Sequence, residues 1–109
     1  MKIIDFINYS LEKGYFEGPS KNILTELSKD STKLLFFHHN TCPECVKLFK
    51  IIPKTKKIIL VDTEEKWGSH MMPVFGVGNT PAIAEMKNNR PTGKIILGFT
   101  RCYQTIINL

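Results

Sequence analysis

Two short apolar runs, Lys33-Leu34-Leu35-Phe36-Phe37-His38 and Ile58-Ile59-Leu60-Val61-Asp62, flank a stretch whose apolar residues recur at helical spacing with lysines between them. No other feature limits the fold as tightly. Runs that are apolar nearly throughout suit strands buried on both faces, the habit of parallel sheets. The order is therefore strand, helix, strand, joined by a right-handed crossover. The helix is expected to run from residue 43 to about Ile52, where Pro53 stops it.

Cys42-Pro43-Glu44-Cys45 sits where the first run meets this helix. With Cys42 as N-cap and Pro43 as the first helical residue, proline's fixed φ fits and its missing N–H is no loss. The Cys42 sulfur then faces unpaired backbone N–H groups at the positive end of the helix dipole, which stabilise a thiolate. Cys45, three residues on, shares the helical face and lies within disulfide reach. Such a site belongs at the carboxyl end of the strand, where open α/β sheets place their ligands.

The remaining chain reads with varying clarity. Ile3, Ile4, Ile7, Leu11 and Tyr15 fall at helical spacing over residues 3–15, with Gly14 or Gly18 as a stop and a strand over 2–6 as the alternative. Ser20 is the expected N-cap of a second helix over 21–29, with Ile23, Leu24 and Leu27 turned inward. A short helix around 64–71 and a turn at Gly76-Val77-Gly78-Asn79 follow the second run. Residues 80–86 read as a strand, 87–93 as a loop rich in turn residues, 94–99 as the antiparallel partner, and 101–108 as a closing helix.

A chain of 109 residues with 42% hydrophobic and 23% charged residues is one ordinary globular domain over 1–109, with no room for a second. Asp5, Asn8 and Glu12 interrupt the apolar start, so it lacks a signal peptide's continuous core, and no segment is long enough to span a membrane. The expected setting is cytoplasmic, where a CxxC is catalytic or metal-binding more often than structural. The net charge of +5 concentrates at Lys47, Lys50, Lys54, Lys56 and Lys57 without accompanying aromatics, so it reads as a solvated face and not as a nucleic-acid site.

Strand, CPxC at a helix start, strand, then Thr80-Pro81 opening a hairpin and a closing helix: this succession resembles the thioredoxin and glutaredoxin superfamily over about residues 31–109. The resemblance implies a thioredoxin-like α/β fold, a central mixed β-sheet flanked by helices, here with an N-terminal helical extension over 1–30. It implies a thiol-disulfide oxidoreductase reducing protein disulfides, with Cys42 as nucleophile and Cys45 as resolving cysteine. It also implies a cis bond at Pro81, with Thr80 and Pro81 binding substrate and an upstream reductase as partner. No cofactor beyond the redox-active dithiol is expected.

Pro43, Glu44 and His39 are the expected tuning residues. Glu44 opposes thiolate formation at Cys42 and should move the site toward the reducing end of the range. Thioredoxins resemble Trp-Cys-Gly-Pro-Cys with an acidic residue buried in the preceding strand, whereas this chain has Thr41 before Cys42 and no acid from Leu34 to His39. His38 or His39, whichever points inward, is the candidate replacement as proton acceptor. Gly98-Phe99-Thr100-Arg101 stands where glutaredoxins carry a glutathione-binding turn, which favours protein disulfides over glutathione.

The rival reading from another class is a metal site. His38 or His39 with Cys42, Cys45 and Cys102 would make a Cys₃His zinc set, or CPEC could ligate an iron–sulfur cluster. A non-catalytic thioredoxin-fold adaptor is the third reading. In the thioredoxin-like arrangement Cys102 is expected to fall away from the CxxC, as a small buried hydrophobe.

Overall fold

In the computed structural model, which describes residues 2–55 and 57–109, the chain runs α1 (Ile3–Glu12), α2 (Lys21–Leu27), β1 (Lys33–His38), α3 (Pro43–Phe49), β2 (Ile58–Asp62), α4 (Lys66–Phe75), β3 (Ala82–Lys87), β4 (Arg90–Leu97) and α5 (Phe99–Ile107). β1 and β2 pair in parallel from Leu34 opposite Ile58 to His38 opposite Asp62. β3 runs antiparallel to β1, and β4 antiparallel to β3, giving the order β2-β1-β3-β4. The sheet is thus mixed, as expected, and both central strands are buried.

Alternation along the strands divides the core into two layers. Leu35, Phe37, Ile59, Val61, Ala82, Ala84 and Met86 pack with Ile3, Ile7, Leu27, Trp67, Met71 and Phe75 from α1, α2 and α4. Phe36, Ile58, Ile83 and Ile96 pack on the other face with Cys45 and Leu48 of α3 and Cys102 and Ile106 of α5. α4 lies so close to the end of β2 that a Cβ on Gly68 would collide with the carbonyl oxygen of Asp62. Only glycine fits there.

The N-terminal extension is helical, and it is tied to the sheet by one residue. Asn89, fully buried in the β3–β4 turn, accepts the Ile3 amide on its backbone carbonyl at 2.7 Å and the Ile4 amide on its side-chain oxygen at 2.7 Å. Its side-chain nitrogen donates to the Leu27 carbonyl at the end of α2. A buried amide bonded through both its oxygen and its nitrogen fixes both helices at once.

Several boundaries depart from the sequence reading. The expected loop over 87–93 is a two-residue turn, because Asn88 and Asn89 both adopt positive φ, 52° and 61°, as tight hairpin turns require. Arg90 and Pro91 then pair opposite Lys87 and Met86. Pro91 is admitted because β4 is an edge strand, and Gly93, at φ 88°, lies where the pairing is irregular. α4 continues through Pro73 to bury Phe75, ending at Gly76 in the left-handed conformation. α3 stops at Phe49, three residues early, and α5 begins at Phe99. α1 ends before Tyr15, whose ring is exposed.

Candidate active site

Cys42 is the N-cap of α3, with extended backbone (φ −95°, ψ 104°), and Pro43 occupies the first helical turn. Its sulfur accepts the Cys45 amide at 3.2 Å and its carbonyl accepts the Val46 amide at 3.2 Å. Cys42 and Cys45 are joined as a disulfide, their Cα atoms 5.2 Å apart. The two sulfurs are not equivalent. Cys42 is half-buried, whereas Cys45 is 0% exposed beneath the helix. An incoming disulfide can reach the first and not the second.

Parallel pairing of β1 and β2 ends both strands at the same level, so the loops that follow lie side by side. The Glu64 carboxylate takes the Asn40 amide at 3.0 Å and the Asn40 side-chain nitrogen at 3.1 Å, gripping the loop two residues before Cys42. His39 turns outward into this cluster, its Nδ1 2.7 Å from the Thr41 hydroxyl and 3.4 Å from Glu64. Thr63 donates to the His38 carbonyl through both its amide and its hydroxyl, each at 2.9 Å. The sequence reading missed Asn40 and Glu64. The signal was the strand register, which aligns residues 39–41 with 63–65.

His38 is the histidine that points inward. It is 7% exposed, its ring against Phe49 at 4.5 Å and Phe36 at 5.8 Å between centroids. Among the described residues its Nδ1 has no hydrogen-bond partner. Burial pushes the imidazole pKa down; the carboxylates of Asp62, Glu65 and Glu64 oppose this, and His39 adds to it. His39, expected as a tuning residue, contacts Thr41 and Glu64 in the loop before Cys42.

The Thr80-Pro81 bond is cis, with Pro81 buried, Thr80 half-buried and the Pro81 carbonyl accepting the Gly98 amide at 3.2 Å. Because Phe37 pairs with Ala82, Pro81 lies at the same end of the sheet as the CPEC loop. Glu44 stands exposed in the first turn of α3. Cys102 is a small buried side chain, as expected: α5 packs against α3, and Cys102 belongs to the same hydrophobic cluster as Cys45 without joining the CxxC as a ligand set among the described residues. Burial raises its pKa to about 11, so it is an inert thiol. Among the described residues, no three His, Cys, Asp or Glu side chains gather as a metal set. No described helix is long and apolar enough to cross a membrane.

By sequence, neither a protein-family model nor a curated protein matches the chain. Solved structures do match. A mutant thioredoxin from Halobacterium salinarum superposes with a TM-score of 0.60 at 15% identity, over 82% of this chain and 84% of that one. The chain has a thioredoxin-like fold. Thioredoxins from Malassezia sympodialis (TM-score 0.57, 16% identity, 77% of this chain and 79% of that one) and Aeropyrum pernix (0.56, 19%, 77% and 75%) repeat the likeness. Within this thioredoxin-like fold the Cys42–Cys45 pair occupies the first helix after β1, at the carboxyl end of the sheet.

Proposed function

We propose that the protein is a thiol-disulfide oxidoreductase that reduces protein disulfides through Cys42 and Cys45. The observation that carries this reading is the asymmetry of the pair: a half-buried sulfur at a helix N-cap beside a fully buried one. In the reduced form the Cys42 thiolate attacks one sulfur of a substrate disulfide, a mixed disulfide forms, and the second substrate sulfur leaves as a thiolate. Cys45, having lost its proton, attacks the Cys42 sulfur, the mixed bond breaks, and the substrate's first sulfur departs. The substrate gains two electrons and the protein returns to the Cys42–Cys45 disulfide. An upstream reductase restores the dithiol.

Each neighbour has a role in this scheme. The α3 dipole and free amides favour the Cys42 thiolate, and Glu44 restrains it. His38, on the same sheet face as Phe36 and Cys45 and with no partner for Nδ1 among the described residues, is the base for the proton of the buried thiol. Thr80 and Pro81 present backbone to an extended substrate segment beside Cys42. Protein disulfides suit this open site better than glutathione.

Alkylation of the reduced protein across pH tests the assignment. Cys42 is expected to react with iodoacetamide with a midpoint below the ordinary thiol value of about 8.5, and Cys45 far more slowly. Equal reactivity of the two cysteines would refute the division of roles.

A further inference from the structure

The lysines that follow the CPEC motif have no part in the redox chemistry. Lys47, Lys50, Lys54 and Lys57 are all exposed, and among the described residues none of them makes an ion pair; Lys56 lies outside the described residues. Lysines around α1 and α2 are employed. Lys29 and Lys33 hold Glu26 at 2.9 and 3.0 Å, and Lys13 lies over the Tyr9 ring. The α3 dipole favours cations at Lys47 and Lys50 near its C-terminal end, but Lys54 and Lys57 lie beyond the helix. Helix stability therefore leaves those two unexplained.

Apolar side chains stand exposed between these lysines. Val46 is 46% exposed, Phe49 36% and Ile51 37%. Single exposures of this kind are ordinary, whereas a contiguous apolar strip rimmed by charge marks an interaction surface. Val46 and Phe49 follow Cys42 by four and seven residues, so all three share one side of α3, and Lys47 and Lys50 border it. The strip thus starts at the nucleophile and runs about 10 Å down the helix.

Charge selects the occupant. Glu44, the acid of α3, is rotated about 200° from Val46 and so lies on the other side of the helix. Glu64, across the loop before Cys42, is already engaged by Asn40 and His39. The strip itself is basic, and its complement is a surface that carries Asp or Glu around large apolar side chains. Nucleic acid fits less well. Phe49 packs against His38 and Phe36, and among the described residues no aromatic ladder stands beside the lysines.

We propose that the exposed side of α3, from Cys42 to Lys54, is a docking surface for acidic protein segments, and that the disulfides this protein reduces are flanked by acidic and large apolar residues. The choice of a disulfide partner rests on the redox reading; the surface itself does not. Docking there leads a substrate along the helix to the half-buried Cys42 sulfur, and long-range attraction speeds the encounter.

Two disulfide-bridged peptides of the same cysteine spacing test this, one flanked by Asp, Glu and Leu, the other by Lys, Arg and Leu. Reduced wild-type protein is expected to react with the acidic peptide about tenfold faster at low salt, the ratio falling toward one at high salt. In Lys47→Glu/Lys50→Glu the ratio should reverse; both rates come from one protein, so any change in Cys42 reactivity cancels. A wild-type ratio of one or below, or a ratio that the variant leaves unchanged, would overturn the proposal. Hydroxyethyl disulfide, small and uncharged, separates this from failure of the redox reading, in which none of the three disulfides is reduced. Binding then decides: a cysteine-free acidic peptide should shift the amides of Val46, Lys47, Phe49 and Lys50. No shift there, or shifts caused only by single-stranded DNA or by vesicles of anionic lipid, would equally refute the surface.

Discussion

The His38 ring meets the Phe49 ring edge-on, centroids 4.5 Å apart, one helical turn beyond Cys45 on α3. The contact holds a titratable group, its Nδ1 without a hydrogen-bond partner among the described residues, against the helix that carries the buried cysteine.

That placement gives stability a pH dependence. Burial keeps folded His38 neutral at pH values where the unfolded chain, with a pKa near 6.5, takes up a proton. The folded state then binds fewer protons, so stability falls as pH drops through about 6.5 toward the lowered folded pKa. Urea midpoints should decline over that interval in the wild type and stay level in His38→Leu. Glu26, held at about 2 by Lys29 and Lys33, acts in a separate window, its contribution lost as pH falls from 4.5 toward 2. The same His38→Leu variant should slow release of a mixed disulfide about tenfold, below the full range general bases supply because Cys45 can still ionise unaided. Unchanged release would remove His38 from the scheme.

Glu44→Gln removes a negative charge in the first turn of α3, two residues from the nucleophile. The Cys42 thiolate is stabilised, the reduced form with it, and the reduction potential rises by about 15 mV, a factor of about three in the exchange constant. Equilibration in glutathione buffers measures this directly. No change, or a fall, would show that Glu44 does not set the potential.

Much of this was legible before any coordinates. β1 and β2 coincide with their apolar runs because strands buried on both faces leave little choice of boundary. The N-cap position of Cys42 followed from Pro43. The hairpin was misread because Pro91 and Gly93 signal a loop in isolation, and only the edge position of β4 admits them. His38 and His39 could not be told apart until the strand's last residue was placed, since a one-residue shift exchanges the faces. That Cys102 shares a buried cluster with Cys45 was not legible, because the packing of α5 on α3 is a long-range fact with no local sequence signal.

Asn89→Ala should be the most damaging change outside the redox site. It strips the side-chain bonds to Ile4 and Leu27 and puts alanine at φ 61°. The expected loss is about 2–4 kcal/mol, from buried groups left unpaired together with the backbone cost. Chemical denaturation measures it. A loss below about 1 kcal/mol would mean that the helical extension is held by packing alone.

The central claim is that Cys42 attacks and Cys45 resolves. Incubating reduced Cys45→Ser with a disulfide-containing protein substrate such as insulin tests it most directly. The account predicts a stable mixed disulfide on Cys42, seen as a mass adduct that dithiothreitol releases, while the wild type turns over and Cys42→Ser forms none. An adduct on Cys102, or no adduct from a folded Cys45→Ser protein, would contradict it.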